Sequence, residues 1–138
     1  MPRVLVSGCF DMLHSGHVAF LEEAASYGEL YVSHGADHTV MQLKHRPTVC
    51  NEQERKYMLE ALRCVKKVYI GPGEGKMDFL PLLEVVKPDI FFVNSDGSDD
   101  EKRALIEARG IRYIVSNRTP HVGLPARSTT ALRRLIGK

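Results

Sequence analysis

Five short runs rich in apolar residues alternate along this chain with longer stretches whose apolar residues recur at helical spacing. The runs are Arg3–Ser7 (RVLVS), Glu29–His34, Val65–Ile70, Asp89–Asn94 (DIFFVN) and Ile111–Val115. Runs of this length read as strands, and strands apolar on both faces belong in a parallel sheet covered on both sides. Between them, Gly16–Tyr27 carries Val18, Phe20, Leu21, Ala24 and Ala25 on one side, with Gly28 placed to close the helix. Glu52–Arg63 reads as a helix with Tyr57, Met58, Ala61 and Leu62 as its apolar face. Met77–Val86 reads as another with Pro81 in its first turn, and Ser98–Arg109 as a third stopped by Gly110. The segment from Gly35 to about Asn51 is polar and shows no periodic element. The chain ends in RSTTALRRLIGK, a helix whose natural N-cap is Ser128 or Thr129. The pattern predicts an α/β fold: a Rossmann-like, doubly wound parallel sheet of five strands with helices on both faces, in a single domain spanning 1–138.

A net charge of +2 with no basic run gives no ground for a nucleic-acid partner. No apolar stretch approaches membrane-spanning length, and no membrane partner is expected. Cys9, Cys50 and Cys64 are odd in number and form no CxxC pair, which fits reduced thiols in a cytoplasmic protein better than a disulfide framework.

In such sheets ligands bind beyond the carboxyl ends of the strands. The first strand is followed by GCFDMLHSGH, Gly8 to His17. Gly8 permits a sharp turn and close approach of a ligand. Gly16 stands at a helix start, where free N–H groups and the dipole favour an anion. His14 and His17 flank Gly16, so both imidazoles can be aimed at one place. Three readings are open for the pair: two satisfied histidines, half of a zinc site, or donors to a phosphate whose charge rises in a transition state. Zinc lacks its remaining ligands in the sequence.

GCFDMLHSGH resembles the GxFDxxHxGH signature of the cytidylyltransferase-like nucleotidyltransferases, and the chain is most similar to their small glycerol-3-phosphate cytidylyltransferase-type branch. The likeness continues along the chain. Asp37 follows the second strand and Lys44 lies in the next loop. ERKYMLEALRCV carries Arg55 and Arg63, Asp96 follows the fourth strand, and Ser128, Thr129 and Thr130 open the last helix. The resemblance implies transfer of CMP from CTP to a small phosphorylated alcohol, polyol or sugar, with release of pyrophosphate, by a homodimer using Mg²⁺. An adenylyl transfer from ATP, of the sugar-phosphate or flavin type, is the alternative within the class. An inactive nucleotide-binding regulatory module is the alternative outside it.

The resemblance also distributes roles. His14, His17, Lys44 and Arg118 would be catalytic. Gly8, Cys9, Phe10, Asp11, Gly16, Arg55, Arg63, Asp96, Ser128, Thr129 and Thr130 would bind the nucleotide, and Asp37 and His34 the acceptor. Each has a plainer reading: Asp11 and the STT as helix caps, Asp37 and Asp96 as turn residues, Lys44 in a hydrated loop, Arg55 and Arg63 as solvated surface. The chain departs from the family pattern in three places, one of them the end of the second strand, VSHGAD, where His34 before Gly35 could contact the acceptor or merely fill space. NSDGS (Asn94 to Ser98) replaces an acidic–aromatic run, leaving acceptor and base open. The longer stretch before Ser128 offers Arg127 as well as Arg118 to the phosphates; Arg118 is preferred because it follows the fifth strand.

Overall fold

A computed structural model describes residues 1–117 and 120–137. Five parallel strands, β1 (Arg3–Gly8), β2 (Glu29–His34), β3 (Val65–Ile70), β4 (Ile90–Val93) and β5 (Arg112–Val115), form one sheet in the order β3-β2-β1-β4-β5. The α/β, Rossmann-like sheet read from the sequence is the one found. β1 lies at its centre and the order reverses there, between β1 and β4, so the end of β1 is where a ligand crevice opens. Every residue of β4 is buried, as its IFFV sequence requires. The edge strand β3 instead places Lys66 and Lys67 in solvent, which protects an open edge from pairing with another chain.

The helices are α1 (Ser15–Ala25), α2 (Asp37–Lys44), α3 (Glu52–Glu60), α4 (Leu82–Val86), α5 (Asp100–Ala108) and α6 (Thr129–Ile136). Two apolar layers cover the sheet. One joins Leu21 and Ala24 of α1 and Leu59 of α3 to Val4, Val6, Val32 and Phe92. The other joins Leu82, Leu83 and Val86 of α4 and Ile106 of α5 to Leu5, Phe91 and Val93. No helix among the described residues is long and apolar enough to cross a membrane.

The structure corrects four local expectations. The Gly35–Asn51 segment contains α2, which buries only Thr39 and Val40 and so shows no apolar period; His45 ends it in the left-handed region. Lys44 is therefore the last residue of a helix, not part of a loop. The apolar face expected of α3 is mostly outside, with Tyr57 76% exposed, while Arg55 and Leu59 are buried. Pro81 stands at the N-cap of α4 and confines the helix to Leu82–Val86, with a single 3-10 turn at Gly75–Met77 before it. Ser26, not Gly28, caps α1; Gly28 is glycine because the Pro2 carbonyl leaves no room for a Cβ. Gly110, with φ +76°, stops α5 as expected.

Candidate active site

Beyond the carboxyl ends of the strands lies a cavity of about 560 Å³, lined by residues from both sides of the sheet. Its first wall is the turn after β1. Phe10 and Met12 both take positive φ (54° and 52°), a conformation costing a non-glycine residue roughly 1–3 kcal/mol. Burial of Phe10 in the α1-side core holds the turn against that cost. A Cβ at Gly8 would lie 2.9 Å from the Phe10 ring, so glycine is required where the turn begins.

The turn delivers His14 as the N-cap of α1. Its Nδ1 accepts from the Gly16 and His17 N–H groups (3.0 and 3.3 Å), and the His14 N–H donates to Nδ1 of His17 (3.2 Å). The two rings stack with centroids 3.8 Å apart. Because both Nδ1 atoms accept, each neutral ring carries its proton on Nε2. Burial lowers the His17 pKa to about 4, with the neighbouring His14 and Lys44 adding to the effect against Asp11. Burial, then Arg127, lowers His14 as well. Nε2 of His14 is buried without a hydrogen-bond partner. The pair is thus a preset donor device at a helix N-terminus.

The start of α6 closes this end. A Cβ on Gly16 would meet the Arg127 carbonyl at 2.8 Å, so that glycine lets the segment before α6 press against α1. Ser128 is the N-cap of α6, its Oγ accepting from the Ala131 N–H at 3.1 Å. Ser128, Thr130, Arg127 and Arg133 line the cavity together with Lys44 at the end of α2 and Asp96 after β4. The cavity therefore gathers Gly8, Cys9, Phe10, Asp11, His14, Gly16, His17, Lys44, Asp96, Ser128 and Thr130 from four separate segments. Arg118 lies outside the described residues, as does the side chain of Thr129.

Four residues expected at the site do not line it. Arg63 is exposed at the end of the α3 segment, away from the cavity. Arg55 is not the solvated residue its charge suggests: its side chain is 1% exposed. It donates to the carbonyls of Cys50 (3.0 Å), Cys9 (3.0 Å) and Gly35 (2.7 Å) and to Oδ1 of Asp37 (2.6 Å). Asp37 is spent on that pair. Burial opposes its ionisation, but hydrogen bonding from Arg55 holds its carboxyl below the usual range. His34 is fully buried beside Arg55, and burial lowers its pKa to about 4, with Arg55 next in importance. Asp11 lines the cavity but is neither helix cap nor free ligand. It accepts from the N–H groups of Met12, Val49 and Cys50 and from Arg133 Nη2 (3.1 Å), tying α6 and the segment before α3 to the end of β1.

Sequence reasoning passed over Arg133, Thr39, Asn94, Asp78 and Lys102, all of which reach the cavity wall. Asp78 and Asn94 follow β3 and β4, so the rule used to choose candidates after strand ends also reaches them. Among the described residues no three His, Cys, Asp or Glu side chains are grouped to hold a metal ion.

The description Cytidylyltransferase-like matches residues 5–135. The chain is 43% identical over 118 residues to an FAD synthase of Aciduliprofundum boonei, covering 83% of this chain and 76% of that one. It is 36% identical to an FAD synthase of Methanohalophilus mahii over 99% of this chain and 95% of the other. Among solved structures, a lipopolysaccharide core biosynthesis protein from Thermoplasma volcanium superposes with a TM-score of 0.73 at 28% identity, over 88% of this chain and 98% of that one. A family match over nearly the whole chain, with the histidine pair at the reversal of the sheet, leaves one assignment: the chain belongs to the cytidylyltransferase-like nucleotidyltransferases.

Proposed function

We propose that this protein transfers the adenylyl group of ATP to the phosphate of FMN, giving FAD and pyrophosphate. The observation that carries the transferase chemistry is the stacked, neutral histidine pair with an unpartnered Nε2 donor beside the N-termini of two helices. The choice of ATP and FMN over the CTP and polyol phosphate expected from the sequence is supported by relatives that are FAD synthases over up to 95% of their length.

An oxygen of the acceptor phosphate attacks the α-phosphorus, the new P–O bond forms, and the bond to the β-phosphate oxygen breaks. No protein nucleophile is needed; placement and charge stabilisation carry the reaction. Nε2–H of His14 and of His17 donates to the α-phosphate oxygens, whose charge grows in the transition state. The N–H groups of the first turn of α6, with Ser128, Thr129 and Thr130, hold the leaving phosphates, and Arg127, Arg133 and Arg118 neutralise them. Lys44 stands between the two phosphate-bearing substrates. Asp11, Arg55 and Asp37 fix the loops that present these groups. Among the described residues none forms a magnesium cage, and Asp11 is already engaged by three N–H groups and Arg133. Magnesium brought with ATP would supply further charge neutralisation at the phosphates.

The test is product formation. Purified protein with ATP, FMN and Mg²⁺ should yield FAD by chromatography in step with pyrophosphate release. CTP with glycerol 3-phosphate should yield at most a trace of product. Robust CDP-glycerol formation without FAD would overturn the reading and restore the cytidylyl one.

A further inference from the structure

The phosphate-handling end leaves the other end of the cavity, on the α4–α5 face, without a task. Asp78 is 6% exposed and Lys102 8%, yet both reach the cavity wall. Among the described residues Asp78 makes no ion pair. Burial pushes its carboxyl up to about 6, with Lys102 and then the Ser7 hydroxyl pulling it back. Lys102 donates to the Gly97 carbonyl (2.7 Å) and rests above the Phe79 ring. Thr39, 1% exposed, has a buried hydroxyl with no partner.

Bare backbone surrounds these groups. A Cβ on Gly35 would stand 3.8 Å from Asp78 Oδ2 and 3.0 Å from Val40, whereas a Cβ on Gly75 or Gly97 would meet nothing within 4 Å. At this end the charges of Asp78 and Lys102 offset each other and Lys76 is paired with Asp99 and Glu101, while Lys44, Arg127 and Arg133 collect at the phosphate end. A second phosphate gains nothing beside a carboxylate. A polyol, polar at every carbon, meets apolar Val40 and too few partners. An uncharged ring fits both the open walls and the sparse polar groups.

We infer that this lobe is an acceptor subsite for a flat, uncharged ring whose edge both donates and accepts hydrogen bonds, with Asp78 and Thr39 as its specificity-determining residues. The identity of the ring as a flavin rests on the function proposed above. The imide edge of a flavin has the required pattern: its ring N–H donates to Asp78, and its flanking carbonyls accept from Thr39 and Lys102. The Thr39 hydroxyl is buried without a partner, and Asp78, already held by the Ser7 hydroxyl, keeps lone pairs to accept from a ring N–H, so acceptors lacking that edge are rejected.

The experiment measures binding of lumiflavin (the ring alone) and FMN by fluorescence quenching in wild type, Thr39→Val and Asp78→Asn, together with FAD formation and the KM for ATP. Thr39→Val removes an unpartnered hydroxyl at constant shape, so its fold and melting temperature should be kept. Both variants should weaken lumiflavin and FMN at least tenfold and leave the KM for ATP within twofold. If FAD forms but flavin affinity is unchanged in both variants, the subsite is overturned and the function stands. If lumiflavin binds in a Thr39-dependent way but no FAD forms, the subsite stands and the function falls. If wild type neither binds flavin nor makes FAD, both fall.

Discussion

The network around Arg55 and the wall of the cavity use the same kinds of side chain and leave many of their polar atoms in opposite states. Arg55 spends its guanidinium on three carbonyls and Asp37, and Asp11 accepts from three N–H groups and Arg133. On the cavity wall, His14 Nε2, Thr39 Oγ1, Asn94 Oδ1 and Arg133 Nε are buried with no partner. A buried polar atom without a partner costs about 1–3 kcal/mol, so folded chains rarely keep one without use. Four of the six such atoms among the described residues belong to cavity-wall residues; the other two, Ser33 Oγ and His34 Nε2, lie at the end of β2 away from it, so an unpartnered atom marks the wall here only where the cavity reaches it.

The largest effect should come from breaking the scaffold. Arg55→Met strands three buried carbonyls and the Asp37 carboxylate, and should cost about 3–5 kcal/mol in urea unfolding. A loss under 1 kcal/mol, with catalysis abolished instead, would move Arg55 from scaffold to substrate contact.

His14→Asn separates the two roles of one residue. Asparagine is a good N-cap and keeps an acceptor near the Nδ1 position, so α1 and the melting temperature should survive. It lacks the Nε2 donor, and kcat should fall about 10²–10³-fold, the usual loss for one donor to a developing oxyanion. Near-normal turnover in a stable variant would remove the histidine pair from the mechanism.

The comparison also has a pH signature. His17 and His34 have folded pKa values of about 4, below their ordinary 6.5, so the unfolded chain binds protons first as pH falls. Their stabilisation is complete above pH 6.5 and is lost on the way down to about 4. Asp78 has the opposite sign. Its carboxyl at about 6 keeps a proton that the unfolded chain has released, so its penalty, full above pH 6, disappears as pH falls toward 3.8. His14 shifts with the other histidines, and their combined loss outweighs the single carboxylate. Thermal melts should fall from pH 7 to pH 5, less steeply in His17→Asn and more steeply in Asp78→Asn. A wild-type melting temperature that holds or rises over that range would contradict the histidine assignments.

What the sequence made legible follows the same division. β4 could be read because all four of its residues are apolar, and the histidine pair because strand, glycines and helix surround it. α2 could not, because two adjacent buried residues carry no period. Arg55 was obscure for a different reason: charge predicts exposure, and only the three-dimensional meeting of Cys9, Gly35, Asp37 and Cys50 shows what the guanidinium satisfies. Asp78 lies within a stretch read as helix, although it directly follows the glycine-rich turn after β3. Motif spacing finds residues that approach a ligand from one segment. It misses those that converge on it from segments far apart.

Arg63 supplies the smallest effect and the sharpest control. It shares α3's sequence motif with Arg55, but it is exposed and lies outside the cavity wall. It makes no hydrogen bond or ion pair among the described residues. Its removal strands no buried atom, so Arg63→Ala should change stability by less than about 0.5 kcal/mol. The KM for ATP should stay within twofold, measured beside Arg55→Met in the same assay. A tenfold rise in that KM would mean that the nucleotide reaches beyond the cavity to the end of α3. The division between satisfied scaffold and unsatisfied wall would then fail as a guide to where the substrate lies, because Arg63 belongs to neither.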